Sequence, residues 1–254
     1  MTIADYIYAL QVCRSQGVSM LELASRNISD MLLSPAMVFT HPDYNTVDAE
    51  DSVQQLCLLM YKLNSDYVPI VDPEDGSLVS ILGYIDVVHF LDQCAKQHTH
   101  MFSDFIGSIH MGNMQAPLTA PITAMLADVI AAIKQNNLLG LPVVDESGKV
   151  VGMYHANQVS FIIKAIDPDA VMDNLNRLTV GDALHLEKQV VSEGLSSIVH
   201  PFVSCTIDDK MHVVIDLMMS NRTAIVVCVD DKGSCVTTVT IKDILRYVLS
   251  MRGI

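Results

Sequence analysis

Apolar and polar positions fall into one phrase that occurs three times along the chain. "VPIVDPEDGSLVSILGYIDVVHFL" runs from Val68 to Leu91, "LPVVDESGKVVGMYHANQV" from Leu141 to Val159, and "IVVCVDDKGSCVTTVTIKDILRYVL" from Ile225 to Leu249. Each opens on a short apolar run and passes Val-Asp into an acidic turn holding one glycine. A second apolar run follows, then residues spaced for an amphipathic helix. The two runs predict a strand–turn–strand hairpin, since glycine supplies the positive φ that such a turn needs. The turn glycines, Gly76, Gly148 and Gly233, lie 72 and 85 residues apart. That period is too long for a small solenoid unit and suits a half-domain.

A helical pattern precedes each hairpin. "DSVQQLCLLMYKLN" opens on Asp51-Ser52 and places Val53, Leu56, Leu59 and Met60 on one stripe; "ITAMLADVIAAIKQNN" and "KMHVVIDLMMSNR" read alike. Each unit is therefore expected to be helix, strand, strand, helix, with a short strand leading in. The second strands should end near Leu82, Tyr154 and Val239. So small a sheet cannot bury both faces alone, and the units should pair.

The strand-to-helix corner has its own signature. It reads Thr240-x-x-Asp243 in the last unit, Gly83-x-x-Asp86 in the first and His155-x-x-Gln158 in the middle one. The chain opens "MTIADYIYAL", giving Thr2-x-x-Asp5 before another amphipathic stretch. Positions 5, 86, 158 and 243 are 81, 72 and 85 apart, so the opening residues are expected to be the tail of a further unit.

Composition narrows the function classes. The formal net charge is −14, which argues against a nucleic-acid partner. It also requires a local cation wherever phosphate is to bind. No apolar run reaches the ~18 residues of a membrane span, and no basic segment precedes the apolar start as in a signal peptide. The six cysteines form no CxxC pair and sit in apolar runs, the pattern of buried, reduced thiols in a cytosolic protein. His98-x-His100 has no nearby cysteine or acidic ligand cluster, so no metal is expected. There is no Gly-rich phosphate loop and no nucleophile set, so no enzyme is expected.

The repeated phrase resembles the CBS (cystathionine-β-synthase) repeat, in which h-x-[ST]-x-x-D closes the second strand and opens the last helix. Two repeats make a Bateman module. "LPVVDESGKVV", "MTIADYI" and "SIHMGNMQAPLTAPITAMLADVIAAI" are most similar to phrases of the gamma subunits of AMP-activated protein kinase and their yeast counterparts. The resemblance implies an α+β fold of tandem CBS repeats, with small sheets flanked by helices. Residues 1–30 would be the remnant of repeat one, 31–100 repeat two, 101–170 repeat three and 171–254 repeat four. Repeats three and four would pack as one intact module. The truncated first repeat would leave apolar surface on repeat two, favouring a homodimer or dependence on a partner.

By resemblance the function is that of a non-catalytic regulatory subunit, cytoplasmic and also nuclear. It would bind alpha-type catalytic and beta-type bridging kinase subunits and sense AMP, ADP or ATP, with no cofactor. The alternatives are a structural scaffold with vestigial clefts, or a sensor of another adenosyl ligand such as S-adenosylmethionine. Thr2, Asp5, Asp86, Thr240 and Asp243 would contact the ribose at helix starts. A carboxylate there can accept both ribose hydroxyls, while Asp and Thr at such positions are also ordinary helix caps. The family's His-Arg phosphate pair aligns with Asp66-Tyr67 and Ala224-Ile225, its repeat-four Arg falls near Glu187, and Gln158 replaces the carboxylate of repeat three. His155, Lys188, Arg222 and Lys242 are the candidate substitutes for the missing cations. With that phosphate machinery gone, AMP is expected to gain little over adenosine.

Overall fold

A computed structural model of the chain describes residues 46–63, 67–98, 100, 102–109, 117–163, 169–170, 175–194 and 202–250, with 15–19, 21–22, 25 and 27 near the start. Its elements, in order, are β1 (Val47–Asp48), α1 (Val53–Leu63), β2 (Tyr67–Val71), β3 (Leu78–Gly83), α2 (Tyr84–Gln97), β4 (Ala120–Pro121), α3 (Leu126–Gln135), β5 (Gly140–Val144), β6 (Val150–His155), α4 (Ser160–Ile163), a 3-10 turn (Leu175–Arg177), α5 (Val180–Ser192), β7 (Ser204–Cys205), α6 (Met211–Asn221), β8 (Ile225–Val229), β9 (Cys235–Thr240) and α7 (Ile241–Ser250).

The three expected hairpins form three separate sheets, ordered β1-β2-β3, β4-β5-β6 and β7-β8-β9. In each, the two-residue lead-in strand pairs parallel to the first long strand, which pairs antiparallel to the second. The second strands end at Gly83, His155 and Thr240, one residue beyond the expected ends. The turn chemistry is the same each time. Gly76, Gly148 and Gly233 sit at φ of 70°, 81° and 82°, where a Cβ would strain the backbone. Asp145 fixes the middle turn by accepting from the Ser147 N–H at 2.8 Å, and Asp230 accepts from the Lys232 N–H at 2.9 Å in the last.

The described residues of 41–117 and 201–254 form one compact unit, and those of 1–40 and 118–200 form another. This corrects the expected pairing of repeats three and four in part: α5, within 171–254, packs on repeat three, whereas the described residues of repeat four from 202 on join repeat two. In the first unit α2 packs on α6 and α7 packs on α1. The cause is the apolar stripes. Val87, Val88 and Leu91 of α2, Val214 and Met218 of α6, and Ile244 and Leu245 of α7 are all buried. Each such side chain contributes about 1.5–3 kcal/mol on leaving water. In the second unit α3, β5 and β6 share a core of Leu126, Val129, Val143 and Tyr154, to which α5 adds Val180 and Ala183.

Equivalent strands differ in cover. Ile81 of β3 is 54% exposed, whereas Met153, at the same register position of β6, is 3% exposed. Tyr67, Leu78 and Val79 are exposed with Ile81, so the expected uncovered apolar face of repeat two is present. None of the helices among the described residues is long and apolar enough to cross a membrane.

Candidate functional site

The corner where a hairpin's last strand enters its helix is built by local hydrogen bonds. At the last corner β9 runs directly into α7, and the Ile241 N–H donates to Ala224 O at 2.9 Å, fixing the helix start against β8. The Thr240 N–H and Oγ1 both donate to Asp243 Oδ2, at 2.9 and 2.6 Å, while the Asp243 N–H donates to Thr240 Oγ1 at 3.3 Å. This reciprocal exchange is a capping box. The other carboxylate oxygen, Oδ1, accepts from Arg246 Nη2 at 3.2 Å. Oδ2 is thereby filled, and Oδ1 keeps one lone pair for an outside donor.

The Asp86 corner is a reduced copy. β3 runs directly into α2, and the Gly83 N–H donates to Asp86 Oδ2 at 2.8 Å. Glycine has no hydroxyl to return the bond, so Asp86 is less constrained than Asp243. The two corners are neighbours in the same compact unit, because Lys242 Nζ, in the first turn of α7, lies over the Tyr84 ring, in the first turn of α2, at 5.9 Å. This contact brings the first turn of α7 to the first turn of α2, and helix starts suit an anionic group.

A strap of residues 102–108 holds α6 and α7 in place. The Met211 N–H donates to Asp104 O at 3.0 Å, the Ile106 N–H to Asp209 O at 2.9 Å, and Tyr247 Oη to Asp104 Oδ2 at 2.6 Å. Burial first, and the Asp104 carboxylate second, push the Tyr247 hydroxyl above its ordinary pKa.

The His155–Gln158 corner is different in kind. β6 ends at His155, but α4 begins only at Ser160, so the direct strand-to-helix junction is missing. The His155 N–H donates to Gln158 Oε1 at 2.7 Å, and Gln158 Nε2 donates to Glu187 Oε2 from α5. Gln158, His155 and Tyr154 are buried. Burial first, and the Glu187 charge second, raise the Tyr154 hydroxyl's pKa.

Of the residues singled out from sequence, Thr240 and Asp243 are hydrogen-bonded, Lys242 reaches the Tyr84 ring, and Asp86 caps the helix that Tyr84 begins. His155 is buried in the separate middle corner. Arg222 ends α6 as a left-handed cap, φ 49°, with an exposed side chain. Thr2 and Asp5 lie outside the described residues. Sequence reading missed Arg246, which the Asp243-x-x-Arg246 spacing announces as an i,i+3 pair. It also missed Tyr84 as the seat of Lys242, and Glu187's contact with Gln158, which spans 29 residues and leaves no local signal.

Comparison with known proteins agrees with this architecture. The CBS domain profile matches residues 37–93, 106–163 and 195–250. The 5'-AMP-activated protein kinase subunit gamma of Saccharomyces cerevisiae is 27% identical over 199 residues, covering 77% of this chain and 58% of the yeast protein. The subunit of the same name from Dictyostelium discoideum is 25% identical over 264 residues, covering 98% of this chain and 43% of that protein. The chain thus spans about half the length of the curated relatives it matches. Among solved structures, protein MJ1225 of Methanocaldococcus jannaschii, proposed as an archaeal homologue of the kinase gamma subunit, superposes with a TM-score of 0.66 at 17% identity. That match covers 98% of this chain and 82% of that one, a likeness of fold.

Proposed function

Since the chain belongs to the CBS-domain family, we propose that it acts as a non-catalytic, gamma-type regulatory subunit of an AMP-activated protein kinase, sensing AMP, ADP and ATP at its paired corners. The observation that carries this is Lys242 seated over Tyr84, which links the first turn of α7 to that of α2 through a cation. In this reading Asp243 Oδ1 accepts a ribose hydroxyl, Asp86 offers a second acceptor, and Lys242 takes the phosphate in place of the family's His-Arg pair. Alpha-type and beta-type kinase subunits are the proposed partners, with the cytoplasm and nucleus as the proposed location.

Calorimetric titration with adenosine, AMP, ADP, ATP and S-adenosylmethionine tests the reading. One charge-assisted contact contributes roughly 1.5–3 kcal/mol. AMP should therefore bind at least ~10-fold more tightly than adenosine, since 1.4 kcal/mol is tenfold. This departs from the small gain expected from the loss of the family's His-Arg pair. Lys242→Ala should erase the difference. A preference for S-adenosylmethionine over every nucleotide would overturn it.

The filled Oδ2 and half-used Oδ1 of Asp243 favour a second reading, a scaffold whose clefts no longer bind nucleotide. Capture of kinase subunits together with no heat from any ligand would establish that instead.

A further inference from the structure

The middle corner carries an inference about which sites can take a phosphate, and it rests on the nucleotide-sensing reading above. Gln158 stands at the register position of Asp86 and Asp243, three residues after the last residue of the second strand. Its amide is used at both ends, accepting from the His155 N–H and donating to Glu187. A carboxylate at position 158 would set two like charges face to face, which costs free energy in a buried setting. Glu187 and the glutamine are therefore one device.

Several contacts fix Glu187 there. Thr179 and Asp182 cap the start of α5, the Thr179 N–H donating to Asp182 Oδ2 at 2.9 Å and the Asp182 N–H to Thr179 Oγ1 at 3.1 Å. The Val180 and Gly181 N–H groups donate to Ala124 O and Ile122 O at 2.9 and 3.0 Å, holding that start against the segment before α3. A Cβ on Gly181 would meet Ile122 Cγ1 at 2.8 Å, and one on Gly152 would meet Leu184 Cδ1 at 2.9 Å, so both glycines permit the close approach of α5. Leu184 and Glu187, three residues apart, share the helix face turned to β6.

We propose that Glu187 is a specificity-determining residue that closes the middle corner to phosphate-bearing ligands. Three features act together: an acidic side chain hydrogen-bonded to the ribose position, a neutral amide in place of the carboxylate, and no helix start at the end of β6 to attract an anion. Nucleotide sensing is then confined to the corners of Asp86 and Asp243.

The test uses the full chain. In an Asp243→Ala background, Glu187→Arg should raise ADP affinity at least tenfold over Asp243→Ala alone. Glu187→Gln, which keeps an amide beside Gln158, should give a smaller gain of the same sign. Unchanged or weaker ADP binding in folded variants overturns the proposal. A second measurement needs no variant: wild-type protein photolabelled with 8-azidoadenosine 5′-monophosphate should carry no label between residues 150 and 162, and label there overturns it. If Asp243→Ala leaves wild-type affinity unchanged, the ribose assignment fails, while the Glu187 comparisons keep their meaning.

Discussion

Asp243 is a helix cap and, in the proposed function, a ribose ligand, and substitution separates the two roles. Removing its carboxylate deletes the bonds from the Thr240 N–H and hydroxyl and the Arg246 pair. Loss of a cap costs about 1 kcal/mol. Asp243→Ala should therefore stay folded by thermal melting while its AMP affinity falls about 10- to 100-fold in calorimetry. Gln158→Ala should leave AMP affinity within about twofold, because its amide serves Glu187. Another residue-scale outcome concerns alkaline pH. Burial raises the Cys57 thiol from an ordinary 9.0 to about 11. A folded pKa above the unfolded one stabilises below the unfolded value and is lost as pH rises through the folded value. Urea midpoints should thus fall between pH 9 and 11, and Cys57→Val should shallow that fall. A midpoint that rises over the interval would refute the assignment.

At the scale of elements, one sheet position has two fates. Ile81 and Met153 occupy equivalent sites, yet one is open and the other enclosed. Ile81→Lys should shift stability by no more than ~0.5 kcal/mol, as exposed substitutions do. Met153→Lys should cost more than ~3 kcal/mol, since it buries an unpaired charge. Paired urea titrations decide this, and equal costs would show that the β3 face is covered after all. The open face is also where the expected self-association belongs. Light scattering should show mass rising with concentration, and Ile81→Lys should abolish the rise.

For the whole molecule, the pairing of α2 with α6 and of α1 with α7 ties residues 41–117 to residues 201–254. Leu91→Ala opens a cavity in the buried stripe of α2 and should cost about 2–5 kcal/mol. Hydrogen exchange should then accelerate in α6 and α7, more than a hundred residues away in sequence, as well as in α2. Acceleration confined to 41–117 would mean that the helices do not share one cooperative core.

Local chemistry was legible in the sequence. The hairpins, their turn glycines, the short lead-in strands and the helix-start corners at Asp86 and Asp243 all follow from hydrophobic period, the φ demanded by a tight turn, and capping between residues three apart. These forces act over a few positions, so the order of residues records them. The capping of Asp86, Thr240 and Asp243 was legible for that reason, and the Arg246 pair could have been. Which repeat packs on which was decided only in three dimensions, because an apolar stripe says that it must be covered and not by what. The same holds for Lys242 over Tyr84 and for Glu187 at Gln158. Both contacts join residues far apart in the chain, brought together by helices that pack through other side chains.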